Sequence, residues 1–150
     1  MTETDTEKVI AAYGAAWEAL TPDGIGDLLA LTSPAIRFTD PFNDVTGREG
    51  YRAVLEKMFR DVASVRSTVR DIAISGRDPA RGYLRWQVAW TAKGKSTGPE
   101  TVIEGVSEIR VDHQGLIACH FDYWDPARTV YETIPVLGAV LRAIRKTIAA

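Results

Sequence analysis

One cysteine, two histidines and no long apolar run set the first limits on this 150-residue chain. A lone thiol, Cys119, cannot build an internal disulfide framework, which fits a reducing, cytoplasmic setting. There is no His-x-Glu and no Cys-x-x-Cys, so the spacing that zinc needs is missing and neither metal nor cofactor is expected. No apolar run approaches the ~20 residues of a membrane span. The opening MTETDTEKVIAAYG is acidic and polar where a signal peptide is basic and then apolar. No membrane association is expected on either count. With 18 basic against 20 acidic residues, scattered, nothing favours nucleic acid. A nucleophile elbow is missing, and Gly24 and Gly26 precede a helix without the rest of a phosphate loop. What remains is one soluble domain, 45% hydrophobic and 25% charged, long enough for one sizeable core.

Apolar spacing puts helices first and strands after. Residues 6–20 carry Val9, Ile10, Tyr13, Ala16, Trp17 and Leu20 on one helical stripe, broken by Thr21-Pro22-Asp23-Gly24. A short helix through Leu28, Leu29 and Leu31 leads to a strand from Ala35 to Thr39. Gly47 opens a third helix with Tyr51, Val54, Leu55, Met58, Phe59 and Val62 on one side. Segments 67–75, 82–92, 100–111 and 115–124 alternate between short Gly- and Asp-bearing connections, the pattern of an antiparallel meander. Asp125-Pro126 starts a last helix carrying Val130, Ile134, Leu137, Leu141, Ile144 and Ile148. The sum is an α+β domain with helices packed on one sheet face.

Side chains alternate faces along a strand, so each strand can be sorted. Leu84, Trp86, Val88 and Trp90 share one face; Tyr83, Arg85 and Gln87 share the other. Ile103, Gly105, Ser107, Ile109 and Val111 face the helices, leaving Glu104, Glu108 and Arg110 outside. The last strand is apolar on both sides, with Leu116, Ala118, His120, Asp122 and Trp124 against Ile117, Cys119, Phe121 and Tyr123. Such a strand suggests that the second face is covered too, by a partner subunit.

A few positions carry chemistry. In RFTDPFNDVTG an alternating strand ends on Asp40, with Pro41 and Phe42 next. Asp-Pro and Asn-Asp are ordinary turn dipeptides, so Asp40 is either turn chemistry or a base at the edge of an apolar pocket. His120 and Asp122 share a side, about 7 Å apart by strand rise. They read as two groups converging on one ligand, or as a structural pair at a subunit edge. Buried among apolar neighbours, they are costly unless paired or functional. Tyr13 is either a core aromatic or a hydroxyl donor, and Cys119 a small buried hydrophobe. Arg142, Arg145 and Lys146 lie beside the stripe of the last helix, which is expected to pack on its own domain rather than on a membrane surface.

Taken together, FTDPFNDVTGREGY and HQGLIACHFDYWDP resemble the SnoaL-like proteins, polyketide cyclases and relatives in the nuclear-transport-factor-like superfamily that also holds ketosteroid isomerases. The likeness runs from about Lys8 to Trp124 and rests on DPF, GRE and a closing GLI…YW strand in that order. It implies a cone-shaped, curved antiparallel sheet wrapped around N-terminal helices, with an added C-terminal helix, enclosing an apolar pocket for a small hydrophobic molecule. Matched by position, Asp40 falls on the isomerases' general base and Tyr13 on their oxyanion-stabilising tyrosine. Asp122 matches the acid/base aspartate on the last strand of several cyclases. Trp124 falls on a pocket-lining tryptophan, which turns His120 and Asp122 inward. Ser107 stands where the isomerases carry a protonated aspartic acid, and a hydroxyl is a weaker donor there. Trp17, Phe42, Val54, Phe59, Trp86, Val88 and Trp124 are the expected walls.

The implied activity is cofactor-independent proton transfer beside a carbonyl, in an isomerisation or an aldol-type cyclisation. The alternative on the same scaffold is a module that holds a hydrophobic ligand or a partner without chemistry. Epoxide hydrolysis, which some relatives perform with an arginine flanked by two acids, meets Arg85 on the outward face. Tyr83, Cys119, Phe121 and Tyr123 on the sheet's second face suggest a homodimer through the sheet.

Overall fold

Thr2 opens the first helix with a reciprocal cap. Its hydroxyl accepts from the Asp5 amide at 3.2 Å, and the Asp5 carboxylate accepts from the Thr2 amide at 3.2 Å. The computed structural model describes residues 2–94 and 100–149. Helix α1 (Glu3–Glu18) leads to a short α2 (Ile25–Ala30), then β1 (Thr32–Thr39), β2 (Asp44–Thr46) and α3 (Arg48–Asp61). Four strands follow: β3 (Val62–Ile74), β4 (Arg81–Ala92), β5 (Thr101–Val111) and β6 (Ile117–Trp124). Beyond them lie α4 (Pro126–Thr129), a 3₁₀ turn (Tyr131–Thr133) and α5 (Leu137–Ile148).

The strands form one curved, open sheet in the order β2-β1-β6-β5-β4-β3. Helices α1 and α3 lie against its inner face. One end of this wrap is filled by Ile10, Leu28, Ile36, Ile109 and Ile117, all essentially without solvent contact. Each such side chain contributes about 1.5–3 kcal/mol by burial. Toward the other end the inward residues no longer meet, and the wrap is hollow. Ser107, His120 and Asp122 stand at the border: Ile109 pairs with His120 and Ser107 with Asp122 across β5 and β6.

The α+β architecture, the helix-facing sides of β4 and β5 and the curved sheet match the sequence reading, and four details differ. Strand β3 begins at Val62, because the β-branched and small residues of Val62-Ala63-Ser64-Val65 extend the backbone where helical periodicity places Val62 on α3. Strand β1 pairs parallel to β6, so the sheet is a meander with one parallel strand and a short antiparallel edge, β2. Strict alternation fails in β6. Arg110 pairs with Cys119 but Val111 with Ile117, so Ala118 is an extra residue and Ile117 turns inward with His120. The last segment is broken. Pro135 lies between the 3₁₀ turn and α5, and Val136 takes a positive φ of 69°.

Candidate active site

The hollow end of the wrap is a cavity of about 550 Å³. Helix α3 supplies Val54 and Met58, β4 supplies Trp86, Val88 and Trp90, and β5 supplies Ile103 and Ser107. Trp17 comes from α1, while β6 brings His120, Asp122 and Trp124. One close approach sets the wall. A Cβ on Gly105 would fall 2.5 Å from the Trp86 ring, so only glycine lets the indole lie flat across β5. That pose brings Trp86 Nε1 to 2.8 Å from Ser107 Oγ.

From Ser107 the hydrogen bonds run in one direction. Ser107 Oγ donates to Asp122 Oδ1 at 2.5 Å, and His120 Nε2 lies 2.8 Å from the same oxygen and 3.1 Å from Ser107 Oγ. A carboxylate only accepts, so Nε2 carries the hydrogen and Nδ1 of a neutral His120 is the acceptor. Tyr13 Oη, 2.8 Å from Nδ1, donates there and accepts from Tyr51 Oη at 2.7 Å. Tyr51 Oη also lies 3.3 Å from Nδ1. Burial pushes both phenols up: Tyr13 against a counter-pull from its Tyr51 bond, and Tyr51 further through neighbouring Tyr13. Both therefore stay protonated as donors, and the chain Tyr51, Tyr13, His120 ends on Asp122. Among the described residues Asp122 Oδ2 has no hydrogen-bond partner, and the side chain lines the cavity.

Asp40 also lines the cavity, with its carboxylate engaged in its own turn. Oδ1 accepts from the Phe42 and Asn43 amides, each at 2.7 Å, and from Asn43 Nδ2 at 2.9 Å; Oδ2 accepts from Asn43 Nδ2 at 3.0 Å. Phe42 is half-exposed and sits edge-on to Trp124 and Tyr131, closing one side of the mouth. Tyr13 is fully buried and does not line the cavity; its hydroxyl bonds His120, which does. Phe59 is not a wall: it packs behind the core while Met58 takes the inward position. Among the described residues the buried Trp17 indole N–H has no partner at hydrogen-bond geometry, although it lies close enough to the Tyr13 and Tyr51 hydroxyls to pull against their upward shift. Sequence spacing places Tyr51 only on a helical stripe, although a buried tyrosine needs a partner for its hydroxyl. Trp90, Ile103 and the β3 residues Val65 and Val69 complete the walls.

A curved sheet wrapped on helices, with a polar cluster at the floor of an apolar cavity, defines an α+β fold of the cone type. The chain belongs to the SnoaL-like domain family, whose model matches residues 10–120. No curated protein sequence matches it. Among solved structures it is similar to a proposed polyketide cyclase from Xanthomonas campestris, with a TM-score of 0.67 at 19% identity, covering 84% of this chain and 94% of that one. A Catenulispora acidiphila protein with a ketosteroid isomerase-like fold, solved with trimethylamine, gives 0.67 at 18% identity, covering 81% and 88%. An LEH-like epoxide hydrolase from M. tuberculosis gives 0.65 at 16% identity, covering 96% and 95%. At these identities the likeness is one of fold.

Proposed function

We propose that the protein is a cofactor-independent enzyme that binds a small, apolar, carbonyl-containing molecule and moves a proton at the carbon beside the carbonyl. The observation that carries this reading is Asp122, held through Oδ1 by Ser107 and His120, with no partner for Oδ2 among the described residues, at the floor of an apolar cavity. In this reading Oδ2 takes the α-proton. Once Asp122 is protonated it no longer needs two donors, and Ser107 Oγ–H or His120 Nε2–H turns to the enolate oxygen. The protonated Asp122 then returns the proton to a carbon of the enolate system for isomerisation; for cyclisation the enolate carbon attacks a second carbonyl, whose π bond opens to an alkoxide that takes the proton from Asp122. Asp40 is assigned to the mouth, since its oxygens are taken by Asn43 and the turn amides. Tyr13 and Tyr51 hold the His120 tautomer from behind.

Epoxide opening, the activity named for the M. tuberculosis neighbour, has less support. Among the described residues no arginine lines the cavity, and Arg85 points outward, 61% exposed and paired with Glu104 at 3.8 Å.

The test is solvent deuterium exchange at the α-carbon of bound steroid-like, phenolic and terpenoid ketones. Exchange is expected with the wild type and with Asp40→Asn, falling by about a hundredfold or more in Asp122→Asn. Loss in Asp40→Asn alone would move the base to the mouth. Tight ketone binding without exchange would leave a binding module on the same fold.

A further inference from the structure

The cavity is long in one direction. Its β4 wall runs from Leu84 through Trp86 and Val88 to Trp90, about 20 Å along the strand. Leu84 pairs with Ser107 and Ser107 with Asp122, so the polar floor lies at the Leu84 end. Val88 pairs with Ser67 on β3, which puts Ser67 about 13 Å further up the wall. There the inward positions of β3 read Val65, Ser67 and Val69, a hydroxyl between two valines. The side-chain hydrogen bonds of this stretch involve Ser64, Arg66 and the Val69 amide, and among the described residues Ser67 Oγ has no partner. Lys57 and Asp61, which also border the cavity, pair with each other at 2.6 Å on the exposed rim. Ser67 therefore stands between rim and floor with a hydroxyl to offer.

We propose that the ligand is a flat, elongated ketone with a second hydrogen-bonding oxygen at the end away from the carbonyl, and that Ser67 selects for that oxygen. This rests on the function proposed above for the end that the carbonyl takes. A one-ring ketone with its carbonyl at Ser107 leaves the upper wall to water, whereas rings joined in line reach Ser67. Trp17, Trp86, Trp90 and Trp124 border that path, and their rings favour flat aromatic partners, stacked or edge-on. A ligand that fills the upper cavity expels the water that a serine hydroxyl otherwise bonds. It must then supply a partner or leave the hydroxyl unpaired. Sites of this kind discriminate against the analogue that lacks the matching group. Val65, Val69 and Val88 surround Ser67 without charge, so the second group is a neutral hydroxyl or carbonyl rather than an anion.

Equilibrium dialysis tests it with 4-acetylbiphenyl, its 4′-hydroxy derivative and the one-ring 4-hydroxyacetophenone. The wild type is expected to bind the hydroxylated biphenyl about tenfold more tightly than the parent, and the one-ring ketone about tenfold more weakly than the parent. Ser67→Ala, which removes only the hydroxyl, should bring the hydroxylated biphenyl down to the affinity of the parent and leave the parent within about twofold. Equal binding of the two biphenyls by the wild type overturns the proposal, as does a preference that survives in Ser67→Ala. An equal loss for both biphenyls in that variant, or no Kd below about 100 μM for any of the three, also overturns it. Deuterium exchange at the acetyl methyl, read on the same samples, separates this from the chemistry. The preference without exchange keeps Ser67 in its role and removes the proton transfer; exchange without the preference does the opposite.

Discussion

Ser107 is the residue on which the polar cluster turns, since it accepts from Trp86 Nε1 and donates to Asp122. Ser107→Ala removes that acceptor and leaves a part-buried indole N–H without a partner, at a cost of about 1–3 kcal/mol. Calorimetry should record a lower Tm; an unchanged Tm would mean that Trp86 does not depend on Ser107. Behind His120, burial raises both Tyr13 and Tyr51 above the ordinary 10.0. Above pH 10 the unfolded chain releases these two protons and the folded chain keeps them. Their contribution is therefore intact below pH 10 and is lost as pH climbs past it. Phenolate absorbance from Tyr13 and Tyr51 should rise together with unfolding, and Tyr51→Phe should move the alkaline transition upward. Phenolate signal from these two with native circular dichroism intact would refute this. Ser107 is legible in sequence because alternation along β5 assigns it a face; His120 and Asp122 lie on a strand apolar on both sides, where alternation leaves the face open and only the family resemblance turns them inward. Tyr51 is not legible, because a helical stripe reports which side is buried but not which hydroxyls meet there. For Asp40 the dipeptides already contained the turn.

At the level of elements, Gly105 lets β5 carry a tryptophan flat across it. Gly105→Ala would set a methyl 2.5 Å from the Trp86 ring and 2.9 Å from the Tyr123 carbonyl oxygen. Overpacking of this kind costs about 1–3 kcal/mol, and here it also displaces a cavity wall. The expected outcome is a lower Tm with altered tryptophan fluorescence; a variant with both unchanged would mean that Trp86 has room to move. Elements legible from local spacing, such as α1, β4 and β5, stand within two or three residues of their expected bounds. Where spacing was insufficient, the cause lies between elements. The extra residue at Ala118 exists only relative to the strands on either side, Arg110 and Val111 on one and Arg37 on the other. The parallel pairing of β1 with β6 joins segments about eighty residues apart, which no local period reports. The break at Pro135 was visible as a proline, yet the threes and fours from Val130 to Ile148 continue through it.

Considered whole, the molecule has a sheet with an inner face divided between core and cavity and an outer face that is apolar at one place. Val106 and Tyr123 are cross-strand partners on that outer face, with Tyr123 61% exposed. Beside them Phe121 carries the Arg37 guanidinium 5.7 Å from its ring centre. Val102, further along β5, is also exposed. Six strands across, the sheet's outer face can approach the ~800 Å² per partner that a stable dimer needs. It is also studded with both signs of charge, Arg85 against Glu104 and Arg110 against Glu108, which a two-fold axis can set opposite one another. We therefore expect a homodimer through the sheet's outer face, centred on β5 and β6 and extending over the neighbouring strands, with both cavities outside the interface. Sedimentation velocity at tens of micromolar should give the dimer mass, and Tyr123→Arg should return the monomer while ligand binding in the cavity persists. A wild-type monomer at about 100 μM would mean that this face is simply solvated, as the scattered apolar surface of most soluble proteins is.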